Sequence, residues 1–177
     1  MELLKNYQDA LELTYPSLKD FSDIDWNQVT KEHLASFETR PTIDEFIIQF
    51  PEFLQSKSID GDAPAYLYEL AFFELLQVHL TKQELTPPEV KGISLNPTLS
   101  FLDLEYDILP MLASKNEIIP RNHILCVFKS LAHEINHLEI SSDYLGVLQK
   151  IESDEEVSSN EEPILQSLVD MGLVFRI

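Results

Sequence analysis

The sequence predicts a mainly α protein, with an N-terminal helical bundle over residues 1–88 followed by a small α+β, winged-helix-like unit over residues 89–177. Three observations carry the prediction. Apolar residues in the first half recur every three or four positions, the period of a helix face. The segment "LTPPEVKGISLNPT" is rich in residues that break regular structure and marks a boundary near residues 84–98. Beyond it, β-branched and aromatic residues gather into short runs with partial alternation, as strands require.

In the first part, residues 2–13 set Leu3, Leu4, Tyr7 and Leu11 on one helical face, and Pro16 follows as a stop. Trp26, Val29, His33 or Leu34, and Phe37 again have helical spacing, with Asp25 as N-cap. In "RPTIDEFIIQFPEFLQS", Thr42 and Glu45 make a capping box and Pro51 opens another short helix. After the connection "SKSIDGDAP", the run "AYLYELAFFELLQVHL" is apolar around most of its circumference and predicts the central helix. Glu69, Glu74 and His79 read there as solvent-facing or locally hydrogen-bonded positions.

In the second part, "LSFLDLEYDI" reads as a strand, leading to a short helix or turn around Leu109 to Ala113. "HILCVFKS" and "EINHLEIS" read as two more strands, with "KSLAHE" supplying a hairpin reversal. "SDYLGVLQKI" predicts a helix capped by Ser142 or Asp143. The run from Glu152 to Glu162 holds six acids and no base and reads as a solvated loop. "PILQSLVDMG" predicts a last helix, begun by Pro163 and closed by Gly172, before "LVFRI" returns as a strand.

Composition narrows the function classes. Asp and Glu total 31 against 12 Lys and Arg, a formal net charge of -19, which disfavours nucleic acid and suits basic protein or peptide partners. Hydrophobic residues at 44%, with 10 Phe and 6 Tyr, supply a core. The single Cys126 sits in "ILCVF" and reads as a buried thiol. There is neither a signal-peptide pattern nor an 18-residue apolar run, so the expectation is a cytoplasmic protein without a membrane span. No ordered nucleophile and base, glycine-rich phosphate loop or paired cysteine metal site is visible, so the chain reads as non-enzymatic and without a cofactor.

One string argues the other way. His133-Glu134-Ile135-Asn136-His137 spells the H-E-x-x-H of zinc peptidases, whose chemistry needs both histidines on one face of a helix. A helix would set their α-carbons about 6 Å apart by backbone rise, and a strand about 13 Å. The β-rich residues before the string favour the strand, with His137 and Glu139 on one face and Leu138 and Ile140 on the other. That geometry predicts no metal site.

Several motifs in order then suggest a relationship. Tyr15-Pro16, the aromatic helix around Trp26 and Phe37, and Phe50-Pro51-Glu52-Phe53-Leu54 resemble the N-terminal region of a bacterial family named for a DNA-binding domain. That family includes the HvfC, BufC and MbnC-like accessory proteins. "PAYLYELAFFELLQVHL", "SLNPTLSFLDLEYDILPML" and "ILCVFKS" are similar to its later elements, although Lys129 stands where arginine is common in the relatives. The resemblance implies a non-catalytic accessory or adaptor protein that binds an iron-containing TIM-barrel oxygenase, a ribosomal leader peptide, or both. The iron belongs to the partner. Contact residues on this reading are Phe50, Phe53 and Leu54 in the first part and Lys129, His137 and Glu139 in the second, the latter through an edge strand open to β-augmentation. The alternative is a DNA-binding transcriptional regulator, disfavoured by the net charge of -19 and by Lys150 being the lone base in the helix after the hairpin.

Overall fold

The computed structural model describes residues 2–21, 24–86, 92–110 and 118–176. The protein is mainly helical, with an N-terminal helical region and a C-terminal mixed α/β segment. Its contacts divide it into two units, Met1–Val78 with Glu105–Arg121, and His79–Leu104 with Asn122–Ile177.

In the first unit, α1 (Glu2–Thr14) buries Tyr7 and Leu11, two of the four residues that the periodicity put on its inner face. Pro16 does more than end α1. It opens α2 (Pro16–Phe21), since a missing N–H costs nothing in a first helical turn. At the start of α3 (Trp26–Ala35), the Asp25 carboxylate accepts from the backbone N–H groups of Asn27 and Gln28. Thr42 and Glu45 cap α4 (Ile43–Ile48) reciprocally, and Pro51 stands in the first turn of α5 (Phe50–Ile59). The last long helix, α6 (Tyr66–Lys82), contributes Leu67, Leu70 and Ala71 to a core shared with Tyr7, Leu11, Tyr15, Leu18, Phe46, Phe50 and Leu54. Each large side chain buried this way is worth about 1.5–3 kcal/mol.

In the second unit, β1 (Ile93–Leu95) pairs antiparallel with β5 (Val174–Arg176), with Ser94 opposite Phe175. Periodicity detected β5 and missed β1, because a three-residue strand inside a breaker-rich segment has no alternation to read. β2 (Ser100–Tyr106), β3 (Pro120–Lys129) and β4 (Ile135–Ile140) form a second sheet in the order β2-β3-β4. Behind the β3–β4 pair lie α7 (Ser142–Glu152) and α8 (Glu162–Asp170), packed on Cys126, Phe128, Ile140 and Leu173 through Val147, Leu148, Leu165 and Leu168. The cap of α7 is Ser141, one residue before the expected position, and its hydroxyl makes no capping bond. Gly172 follows α8 at φ 80, a conformation that only glycine adopts without cost. Leu109 and Pro110 are helical, and the rest of the turn expected there lies outside the described residues. Among the described residues no helix is long and apolar enough to cross a membrane.

Candidate functional site

The H-E-x-x-H string is split between two kinds of backbone. Ser130 to Glu134 close the β3–β4 hairpin, with the Ser130 N–H on the Glu134 carbonyl and the His133 N–H on the Ser130 carbonyl, both at 2.8 Å. His133 turns the chain at φ 63, in the left-handed region, whereas His137 lies on β4 opposite Val127. Turn and strand cannot put the two imidazoles on one helical face. Among the described residues, no group of three His, Cys, Asp or Glu side chains stands together as a metal-binding set.

What the hairpin builds is an edge. Among the described residues β4 is the outer member of its sheet, so one side of its backbone lies outside the β3 ladder. His137 and Glu139 are exposed on one face, and Leu138 and Ile140 pack into the core on the other. This is the alternation expected from residue type.

Lys129, at the end of β3, is used internally. It is 7% exposed, and its ammonium donates to the carbonyl oxygens of Thr81 at 3.2 Å and Gln83 at 2.8 Å. Its backbone N–H donates to Thr98 Oγ1 and its carbonyl accepts from Asn96 Nδ2, both at 2.9 Å. The same Asn96 side chain also donates to the Gly172 carbonyl at 2.9 Å, so one buried amide ties β3 to the turn before β5.

Phe50, Phe53 and Leu54 fall in the first unit. Phe50 and Leu54, at 0% and 2% exposure, are core residues, while Phe53 is half-buried. Phe50 and Phe53 stand with Phe37 and Phe46 around His33, whose ring centroid lies 4.3 Å from Phe46, 4.8 Å from Phe53, 5.1 Å from Phe37 and 5.4 Å from Phe50. His33 Nε2 bonds the Phe46 carbonyl at 2.8 Å, and burial among these rings pushes its pKa down to about 4. The imidazole is therefore neutral at pH 7, with Nε2–H as donor.

Phe53 and Leu54 also line an open groove of about 690 Å³ between α3, α5 and the start of α6. Val29, Leu67, Ala63 and Pro64 continue its apolar surface, and Asp25, Glu32, Lys57 and Asp62 bring charge to it.

Two acids that the sequence left as ordinary surface or local groups are interior anchors. Glu74 accepts the N–H groups of Ser17 at 2.7 Å and Leu18 at 3.1 Å, at the start of α2. Glu69 accepts those of Glu105 at 2.8 Å and Tyr106 at 3.2 Å, at the end of β2. An acid on a helix that is apolar all round is the signal that could have found them, because such a face leaves no solvent side. Cys126 matches its reading: it is fully buried, and burial pushes its thiol up to about 12.

No protein-family model matches the chain, and no curated protein matches it.

Proposed function

We propose that the chain is a non-catalytic accessory protein that receives an extended peptide along the β4 edge. The observation that carries this reading is the position of β4: among the described residues an outer strand of six residues, backed by a packed core, with His137 and Glu139 exposed on one face. Main-chain hydrogen bonds of an added strand supply affinity, and alternate side chains supply selectivity. The motif resemblance supports a ribosomal leader peptide as that strand and an iron-containing TIM-barrel oxygenase as the enzyme served, in the cytoplasm. On this reading the second unit is winged-helix-like, with the β3–β4 hairpin as its wing.

A DNA-binding role is the weaker alternative. The one base of α7, Lys150, has its ammonium on the Glu161 carboxylate at 2.6 Å, so the helix beside the hairpin offers phosphate no unpaired cation.

Purification from the native cell, followed by hydrogen exchange on any complex recovered, tests the proposal. The expected result is co-purification with the oxygenase or its peptide and slowed exchange of amides 135–140. Recovery only as a free monomer, or a complex whose 135–140 amides exchange as in the isolated chain, overturns it.

A further inference from the structure

The groove of the first unit points to a second interaction, independent of the β4 edge. The Lys57 ammonium is held by three groups: the Glu32 carboxylate at 2.8 Å, the Asp62 carboxylate at 3.6 Å and the Phe53 ring at 5.8 Å from its centroid. Two carboxylates and an aromatic face are a seat for an organic cation. Its walls come from different elements, Glu32 from α3, Phe53 from α5 and Asp62 from the connection to α6, so the folded helical unit preforms it. Directly beside the seat lies the accessible apolar lining of Val29, Ala63 and Pro64.

We propose that this groove docks a segment of a partner protein that presents a lysine or arginine beside an apolar side chain, and that Lys57 occupies the cation seat until that segment arrives. Charge complementarity selects this occupant. The lining carries three acids, Asp25, Glu32 and Asp62, against one base, on a chain of net charge -19, so it attracts a cationic segment and repels an acidic one. Guanidinium fits the seat better than the resident ammonium, because its planar fork can bind a carboxylate with two bonds while stacking on the ring. Lys57 thereby acts as a competitor within the chain. A partner must displace it, which sharpens selection for segments that satisfy the seat and the apolar lining together.

The test uses the full chain and a fluorescein-labelled peptide of alternating leucine and arginine, with its leucine–glutamate counterpart, read by fluorescence anisotropy at physiological salt. Lys57→Met, which keeps the stem and removes the charge, is expected to tighten binding about tenfold. Glu32→Gln combined with Asp62→Asn is expected to weaken it about tenfold. Glu155→Gln with Glu156→Gln removes the same charge from exposed positions elsewhere and is expected to change it less than about twofold. Equal weakening by the two double variants assigns the binding to the general acidic field and overturns the proposal. So does unchanged or weaker binding by Lys57→Met with a native thermal melt, or equal binding of the glutamate peptide. Should Lys57→Met melt early, Lys57→Gln serves as the same test.

Discussion

The Glu74 carboxylate in the middle of α6 accepts the backbone N–H of Ser17 at 2.7 Å, so a long helix holds the first turn of a short one by an acid. The same carboxylate takes the Leu18 N–H at 3.1 Å, satisfying two donors that every helix N-terminus leaves open. Glu74→Ala leaves both donors without this partner and is expected to cost about 2–4 kcal/mol, read as a lower urea midpoint with unchanged slope. Burial raises the Glu74 pKa despite these bonds. A raised carboxyl stabilises the fold fully below the ordinary value and loses that contribution as pH rises through the folded value. Glu74→Gln should therefore remove a decline in stability that the native chain shows on going upward from about pH 4.5.

His33 gives the opposite slope. The unfolded chain protonates it near 6.5 and the native one near 4, so between these values the unfolded state binds more protons. Its contribution is complete above pH 6.5 and falls away as pH drops toward 4, by about 3 kcal/mol in all. Urea titrations at steps from pH 7 to pH 4 measure this, and His33→Gln is expected to flatten the profile over that window. A slope identical in the variant would assign the loss to other groups.

The buried ammonium of Lys129 closes the carbonyl end of α6 through Thr81 and Gln83. Lys129→Met keeps the aliphatic stem and strands those acceptors, with an expected loss of about 1.5–3 kcal/mol in chemical denaturation. A side chain used only at a partner surface would leave the isolated chain's stability untouched.

At the hairpin, His133 holds φ 63, which glycine adopts freely and a β-branched residue adopts poorly. Stability is expected to rise by about 0.5–1 kcal/mol in His133→Gly and to fall by at least as much in His133→Val. Because His137 is on the strand, chelation and desalting should leave the thermal midpoint of the native chain unmoved. One tightly retained metal, lost in His137→Ala, would reverse this reading of H-E-x-x-H.

Much of the fold was legible where a feature is closed by neighbours along the chain. The Asp25 cap, the Thr42–Glu45 box, Pro51 and Gly172 each act within a few residues, and each stands where spacing put it. The strand character of "EINHLEIS", and with it the dispersal of His133 and His137, followed from residue type. The candidate site was less legible. Phe50 and Leu54 proved to be core and Lys129 an interior clasp, because an apolar or cationic residue on a short helix or strand end does not announce which face will be covered.

By itself, then, the sequence determined where several of the helices start and where the hairpin turns. Only the tertiary structure decided that Glu69 and Glu74 anchor backbone of distant segments, that β1 finds β5, and that Glu32, Phe53 and Asp62 converge on Lys57. The reason is physical. Periodicity and capping are read over a few residues of chain, whereas a buried carboxylate or a three-sided cation seat depends on distances across space that no local spacing encodes.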